Sequence, residues 1–260
     1  MTLDRAGIRV CGGLPGPDFN YVTAECFLLN NDFKTWKRSP SIQPMKVKRI
    51  DAARAQMGNR WWATGGRNID GITATTEFMD ESGSWEMGFD LPAKTFGHCM
   101  VNIDKDHVFM TGGYHLESSA FRSSYIFQEG SNSPRQVENM LYPRFAHSCA
   151  ILENKNVIVA GGFNSTRFMH KNTEIFSFET GRWTEGPDLP YGKQNGAVMT
   201  TIDGITYHIG GHPPATNIFR LDKDVNEKWK WTPAAQLKYH KWFFDAVPIH
   251  LTTDDCKILN

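Results

Sequence analysis

Five Gly-Gly doublets recur along this 260-residue chain at a nearly constant interval. They begin at residues 12, 65, 112, 161 and 210, so that successive starts lie 53, 47, 49 and 49 residues apart. Each doublet follows a short run of apolar or aromatic residues, which is typical of a β-strand. A repeat of about 50 residues that contains several strands indicates a β-propeller, in which each repeat forms one blade.

The fourth repeat shows the strands of one blade most clearly. A strand over residues 145–152 is followed by a polar turn and by a second strand over 157–160, which runs into Gly161-Gly162. A longer loop leads to a third strand over 173–178, and a further turn leads to a fourth strand that begins at Trp183. Four short strands separated by turn residues predict one antiparallel blade.

Two further features recur with the doublets. A tryptophan follows most of them, at Trp36, Trp85, Trp183 and Trp231, and a Leu-Pro-like exit with a basic residue shortly after it precedes the next first strand. This combination resembles the kelch repeat over essentially the whole chain, residues 1–260, which we therefore treat as a single domain. The third repeat departs from the pattern, since Arg135 stands near the expected tryptophan.

The repeated residues are predicted to be structural. The glycines allow positive φ angles and close packing near the propeller axis, and the tryptophans fill the wedges between blades. Glu25, Glu77 and Glu174 each follow a doublet by 11 or 12 residues and are expected to pair with the recurring basic residues. The predicted structural glycines are Gly12, Gly13, Gly65, Gly66, Gly112, Gly113, Gly161, Gly162, Gly210 and Gly211.

The ends of the chain suggest how the ring closes. No stretch before Ile8 appears in the sequence as a full first strand, whereas residues 241–250 are expected to form an extra first strand at the other end. We therefore predict an all-β propeller of five four-stranded blades, closed by this C-terminal strand, which removes exposed sheet edges. The alternative is that the chain is a fragment of a six- or seven-bladed propeller.

The loops after the doublets and the loops between blades are expected to gather at one end of the ring, which we call the mouth. The tight turns gather at the opposite end, which we call the turn face. Loops on a rigid scaffold are where function concentrates, and aromatic and arginine side chains carry most interface energy. The resemblance to kelch substrate receptors implies partner contacts directly after the doublets and at the Pro-Arg exit.

We therefore expect a protein or peptide partner, of acidic or aromatic character, to bind at the mouth of a monomeric adaptor or substrate-receptor scaffold. The predicted binding residues are Arg67, Asn68, Tyr114, His115, Phe163, Asn164, Arg167, His212, Arg144, Tyr191 and Lys193.

A propeller enzyme is the first alternative function. Tyr114, Tyr191 and Tyr239, together with the histidines at the mouth, are the residues that a copper oxidase or a sugar epimerase of this architecture would use. However, His98 and His147 recur at matching strand positions, which indicates packing rather than ligation of one metal. No phosphate-binding or zinc-protease motif is present in the sequence, so we predict no enzyme activity, cofactor or metal.

Composition limits the partners and the compartment. Lys plus Arg equals Asp plus Glu, 28 against 28, so that the chain as a whole has no basic field for nucleic acid. No apolar run is long enough to span a membrane. Five cysteines without CxxC spacing predict a reduced, cytoplasmic chain. The alternative is a secreted kelch protein with an incomplete N-terminus and an extracellular ligand.

Overall fold

The computed structural model of the chain describes residues 2–4, 7–14, 21–29, 35–38, 43–117, 119–131, 133–153, 155–190, 197–211 and 216–239. These residues form strands, turns and loops, with no α-helix among them. In this part of the chain, therefore, no helix has the length and apolar character needed to cross a membrane.

Five four-stranded antiparallel sheets form a ring, which confirms the predicted five-bladed β-propeller. Blade 1 contains β1 (Thr2–Asp4), β2 (Gly7–Gly13), β3 (Thr23–Leu29) and β4 (Trp36–Arg38). Blade 2 contains β5 (Ala53–Met57), β6 (Arg60–Thr64), β9 (Thr76–Met79) and β10 (Trp85–Met87), with a small hairpin of β7 (Arg67–Asn68) and β8 (Gly71–Ile72). Blade 3 contains β11 (Cys99–Asn102), β12 (His107–Thr111), β15 (Ser124–Gln128) and β16 (Arg135–Val137), with a hairpin of β13 (Tyr114–His115) and β14 (Ser119–Ala120).

Blade 4 contains β17 (Ser148–Leu152), β18 (Asn156–Ala160), β19 (Thr173–Ser177) and β20 (Arg182–Glu185). Blade 5 contains β21 (Val198–Ile202), β22 (Ile205–Ile209), β23 (Asn217–Lys223) and β24 (Trp229–Gln236). In each sheet the strands lie in sequence order, so that every blade is a meander. The first strands of blades 2 to 5 contact one another in series, which places them on the inner side of the ring.

The start of blade 1 differs from the sequence prediction. Thr2–Asp4 forms β1 and pairs with β2, with Thr2 opposite Arg9 and Asp4 opposite Gly7. The expectation that blade 1 lacks a first strand of its own is therefore wrong, because a strand of three residues is enough to pair with β2. The predicted closing strand, residues 241–250, lies outside the described residues.

All ten glycines of the doublets have positive φ, between 57° at Gly65 and 110° at Gly113. In blades 2 and 3 the second glycine of the doublet donates its N–H to the next inter-blade loop, since Gly66 N lies 2.8 Å from Thr95 O and Gly113 N lies 2.9 Å from Arg144 O. A Cβ atom on Gly112 would collide with the Arg144 carbonyl and with the His147 ring. The doublets thus join neighbouring blades through close backbone contact.

Two of the three predicted glutamates form buried ion pairs with the basic residues of the inter-blade loops. Arg49 Nη2 lies 2.6 Å from Glu77 Oε1, and Arg144 Nη2 lies 2.5 Å from Glu174 Oε1, with all four side chains at most 1% exposed. Burial lowers the pKa of both guanidinium groups, and the paired glutamate opposes that shift. Glu25 differs, because it pairs at the surface with Arg38.

The tryptophans follow the wedge prediction in three blades. Trp85, Trp183 and Trp231 are buried in the apolar clusters of the ring. Trp183 Nε1 also donates to the Glu138 carbonyl of the preceding blade at 3.0 Å. Trp36 is 43% exposed on the outer strand of blade 1, so the prediction that it fills a wedge is wrong.

Four of the five cysteines form disulfides, which contradicts the expectation of a reduced chain. Cys11–Cys26 joins β2 to β3 within blade 1, and Cys99–Cys149 joins the first strands of blades 3 and 4. The partners are neighbours only through strand pairing and the repeat of the blades, which is why their spacing in the sequence gives no sign of them.

Candidate interaction surface at the mouth

The mouth is built by the same backbone pairing in three consecutive blades. The residue after the doublet pairs in antiparallel fashion with a residue before the first strand, giving Ile50 opposite Arg67, Phe96 opposite Tyr114 and Phe145 opposite Phe163. Each pair has two N–H···O bonds of 2.8 to 3.2 Å. The post-doublet loops and the inter-blade loops therefore meet at one end of the ring, as the meander predicts.

Neighbouring inter-blade loops are also joined directly. Gly97 N donates to Asp51 O at 2.9 Å, and Ala146 N donates to Gly97 O at 2.7 Å. All three residues have left-handed φ angles between 53° and 63°. The loops that lead into blades 2, 3 and 4 are thus connected in series by their backbones.

Four aromatic rings form a continuous row across blades 3 and 4 at the mouth. Phe96 contacts Tyr114 with a centroid distance of 5.6 Å, Tyr114 contacts Phe145 at 4.7 Å, and Phe145 stacks on Phe163 at 5.4 Å. All four side chains are half-buried, so that each ring packs on its neighbour and still presents an edge or a face to solvent. We call these four residues the aromatic row.

Arg67 extends the aromatic row into blade 2. Its guanidinium carbon lies 4.5 Å from the centroid of Phe96, and its Nε lies 2.6 Å from Asp51 Oδ2. Next to it, the Asn68 amide donates to Lys48 O at 3.0 Å. Both predicted residues are therefore held in place by contacts within the protein while remaining partly exposed.

Each post-doublet loop of blades 2 to 4 also carries a large exposed apolar residue at its tip. Ile69 is 67% exposed, Leu116 is 74% exposed and Phe168 is 54% exposed. We call these three residues the apolar tips. Sequence reasoning missed them, because Ile69 and Leu116 follow the second glycine of their doublets by three residues and Phe168 follows Gly162 by six, so no fixed position marks them.

The loops that carry the tips are stiffened by their own polar residues. In blade 4, Asn164 Oδ1 accepts hydrogen bonds from the backbone N–H groups of Thr166 and Phe168 at 3.0 and 2.9 Å. In blade 3, His115 Nδ1 accepts from the N–H of Glu117 at 3.3 Å. Arg167 is exposed beside Phe168, so its side chain is accessible to a partner.

Arg144 does not belong to this surface. Its side chain is fully buried and bonds to Glu174 and to the Gly161 carbonyl, the latter at 2.7 Å. The prediction that it contacts a partner is therefore wrong, because its guanidinium faces the interior of blade 4. Tyr191, Lys193 and His212 lie outside the described residues.

The buried histidines are neutral core groups. Burial lowers the pKa of His98 to about 3 and that of His208 to about 4, and it lowers the pKa of His147 well below its usual value. His98 Nε2 lies 2.9 Å from Thr64 Oγ1 in the neighbouring blade. Within the described residues no group of three His, Cys, Asp or Glu side chains is placed to hold a metal ion.

Comparison with known proteins gives modest similarity to one kind of protein. The chain is 24% identical over 204 residues to Kelch-like protein 36 of Rattus norvegicus, which is 74% of this chain and 33% of that protein. It is 23% identical over 212 residues to Kelch-like protein 26 of Danio rerio, covering 79% of this chain and 34% of that protein. The F-box/kelch-repeat protein SKIP30 of Arabidopsis thaliana is 38% identical over 66 residues, 25% of this chain and 18% of that protein.

No family model matches the sequence. The chain spans about a third of the length of the Kelch-like proteins that it matches. Five sheets in a ring, doublets at the ends of second strands and similarity to Kelch-like proteins nevertheless agree with one another. The chain is a five-bladed β-propeller whose relatives are Kelch-like proteins, which is consistent with the kelch-repeat family.

Proposed function

We propose that the chain is a non-enzymatic interaction scaffold that binds a protein or peptide partner at the mouth. The observation that carries this proposal is the aromatic row, Phe96, Tyr114, Phe145 and Phe163, with the apolar tips around it. The propeller fold and the Kelch-like relatives support an interaction role of this kind.

The aromatic row has the physical properties of an interface centre. Aromatic side chains have few rotatable bonds, and here the backbone of Phe96 is paired with that of Tyr114 and the backbone of Phe145 with that of Phe163. Little conformational entropy therefore remains to be lost on binding. Exposed aromatic and arginine residues at the centre of a contact usually contribute most of its energy. The row therefore offers a preorganised surface for an aromatic or apolar side chain of the partner.

The charge of the mouth favours a partner with acidic residues. Apart from the buried Arg49 and Arg144, the described mouth loops carry eight Lys or Arg and six Asp or Glu, a difference of two positive charges. The cations are Lys46, Lys48, Arg67, Lys94, Arg122, Arg167, Lys171 and Lys238. The acids are Asp51, Asp70, Asp90, Glu117, Glu138 and Asp188.

A comparison of matched surface variants tests the proposal. The mouth variant changes the three apolar tips to serine, and the control changes Val225 and Ile202, which are 99% and 37% exposed at the turn face, to serine. All five residues lie at the surface, so both variants should fold, and their thermal unfolding is compared before binding is measured. Proteins captured from an extract by the unchanged chain are identified by mass spectrometry, and binding of each is then measured with both purified variants.

We expect the mouth variant to bind at least about tenfold more weakly, and the control to bind as the unchanged chain does. A second variant, Tyr114→Ala, should weaken binding further because it opens the aromatic row. If every partner binds the mouth variant normally and loses affinity for the control, the partner surface is the turn face and the proposal fails.

A further inference from the structure

A cleft of about 570 Å³ lies along the boundary between blades 2 and 3, and its lining extends from turn residues such as Glu129 to Phe89 and Asp90 of the inter-blade loop. Its walls include Trp62 and Phe78 of blade 2 and Phe89, which follows that blade, while its rim includes Arg60 and the turn residue Glu129 of blade 3. This volume is within the range of sites that bind small groups or side chains.

The walls of the cleft are aromatic. Trp62 packs against Phe78 with a centroid distance of 5.0 Å and stacks on Phe89 at 4.9 Å. Phe89 in turn stacks on Phe127 at 5.2 Å. The faces of such rings carry negative charge density and attract cations, most strongly where water is partly excluded.

The guanidinium group of Arg60 already occupies one wall of the cleft. The guanidinium carbon of Arg60 lies 4.6 Å from the centroid of Phe78, which is the geometry of a cation–π contact. The side chain is 48% exposed, and its distance to Glu129 Oε1 is 3.6 Å, which is too long for a hydrogen bond. Arg60 therefore shows that a guanidinium fits the cleft and is held there only loosely.

The Glu129 side chain crosses the boundary between blades 3 and 2, and one of its carboxylate oxygens can still accept a hydrogen bond. Its side chain lies over Gly58 of blade 2, where an added Cβ would be 3.4 Å from Glu129 Cδ. Its Oε2 atom is buried and has no hydrogen-bond partner among the described residues. A buried carboxylate oxygen is costly without a donor, so this atom favours a ligand that carries one.

The turns around the cleft carry more acidic than basic residues, although Lys223 at the end of β23 pairs with Glu153 and Glu227. In blades 2 to 5 the described turns between paired strands carry ten Asp or Glu and three Lys, a difference of seven negative charges. The acids are Asp80, Glu81, Asp104, Asp106, Glu129, Glu153, Glu179, Asp203, Asp224 and Glu227, and the lysines are Lys105, Lys155 and Lys228. Some of these acids have structural roles, since Asp80, Asp104 and Asp224 accept backbone N–H groups of their own turns. Their charge nevertheless attracts a cationic partner to this face.

From these contacts we propose that the cleft is a second binding site, which takes an arginine side chain of a basic peptide segment. The incoming guanidinium lies over Phe78 in place of Arg60 and donates to Glu129. The lining of this site includes neither the aromatic row nor the apolar tips, and the inference does not depend on the function proposed for the mouth.

The test uses the intact chain and a fluorescein-labelled peptide that contains three arginines spaced by glycine and serine. A matched peptide carries citrulline, which has nearly the same shape without the charge, in place of each arginine. Fluorescence anisotropy is measured at low and at physiological salt. We expect the arginine peptide to bind and the citrulline peptide not to bind, and equal binding of the two peptides would overturn the proposal.

Two pairs of variants separate the cleft from the general charge of the face. Glu129→Gln should weaken peptide binding about fivefold, whereas Glu179→Gln, which removes an exposed acid of blade 4, should change it less than twofold. Arg60→Ala should strengthen binding by several fold, because it removes the internal competitor, and it should do so more than Lys155→Ala.

Equal effects within each pair would show attraction by charge alone and would overturn the cleft assignment. Weaker binding by Arg60→Ala would overturn it as well, since Arg60 would then be part of the site rather than its occupant. Serine substitution of the apolar tips should leave peptide binding unchanged, which keeps a failure of the cleft distinct from a failure of the mouth.

Discussion

The guanidinium of Arg144 lies 2.5 Å from the carboxylate of Glu174, and both side chains are fully buried. Arg144 also accepts, through its carbonyl oxygen, the N–H of Gly113 from the preceding blade. One residue therefore fastens its own loop to blade 4 by its side chain and to blade 3 by its backbone. Arg49 does the same for blades 2 and 1, through Glu77 and Gly13.

Breaking this pair should be strongly destabilising. Arg144→Met leaves the Glu174 carboxylate buried without its cation, and such a loss costs about 3–5 kcal/mol of unfolding free energy. Replacing both residues by methionine should cost clearly less than the sum of the single changes, because no charge then remains buried. Urea unfolding of the two single variants and the double variant gives this comparison.

The exposed pair of Lys171 and Asp188 is the control for that experiment. Its side chains are 62% and 49% exposed, with Nζ 2.7 Å from Oδ2. Lys171→Met should change the unfolding free energy by no more than about 0.5 kcal/mol. A cost for Arg144→Met that is as small as this would mean that the buried pair does not stabilise the ring.

Two glycine-to-alanine substitutions separate backbone conformation from steric contact. Gly112 and Gly181 have similar φ angles, 64° and 68°, but only Gly112 lies against a neighbouring blade. Gly181→Ala should cost about 1 kcal/mol through its left-handed φ, and Gly112→Ala should cost a further 1–3 kcal/mol through overlap with Arg144 and His147. Equal losses in thermal or urea unfolding would contradict the close packing that we assign to the doublets.

The buried histidines should make the fold sensitive to mild acid. The folded pKa values of His98 and His208, about 3 and about 4, lie below the ordinary value of 6.5, so the unfolded chain binds more protons between these limits. The contribution of these neutral histidines to the unfolding free energy is therefore fully present above pH 6.5, and it is lost as the pH decreases toward 4. Each such histidine contributes a slope of up to about 1.4 kcal/mol per pH unit.

Urea unfolding at pH 7.5, 6.0 and 5.0 measures this slope. His208→Gln should reduce it by up to about 1.4 kcal/mol per pH unit, whatever the variant does to stability at pH 7.5, because one titrating group is removed. An unchanged slope between pH 6.0 and 5.0 would show that His208 does not titrate during unfolding.

The disulfides predict a single free thiol. With Cys11–Cys26 and Cys99–Cys149 formed, only Cys256 of the five cysteines remains to react in denaturant without reductant. Thiol labelling followed by mass spectrometry counts and places the reactive cysteines. Five labelled thiols would contradict both bonds and would favour the cytoplasmic location expected from the sequence, whereas one would favour an oxidising compartment.

The long-range bond is also expected to stabilise the ring. Cys99–Cys149 spans 50 residues, and replacing both cysteines by serine should cost about 2–4 kcal/mol of unfolding free energy. The same substitution measured under reducing conditions should cost much less, because the bond is then absent from both proteins. Equal costs with and without reductant would assign the loss to packing rather than to the bond.

The fold was predictable because the doublets repeat in phase. A glycine pair at the end of each second strand is visible in one sequence, and five of them give the number of blades without any knowledge of long-range contacts. The first strand of blade 1 was missed because Thr2–Asp4 is too short to show an alternating pattern. The tryptophan pattern failed at Trp36 because periodicity does not indicate how far a side chain on an outer strand is covered.

The candidate site was only partly accessible to sequence reasoning. Position after a doublet correctly brought Arg67, Tyr114 and Phe163 to the mouth. Arg144 has the sequence context of an exposed loop cation, but Glu174, 30 residues further on, neutralises it in the interior. The cleft between blades 2 and 3 could not be predicted from the sequence. Its walls come from different repeats, and their aromatic side chains have the sequence pattern of core residues.

The serial bonds from Ala146 to Gly97 and from Gly97 to Asp51 give the mouth a mechanical property. The loops that lead into blades 2, 3 and 4 are joined to one another by these backbone hydrogen bonds. A force that pushes one of these loops outward must stretch the bonds to the others as well, so the mouth resists widening along blades 2 to 4. The partner that we propose for the mouth would therefore meet a part of the rim whose width is nearly fixed.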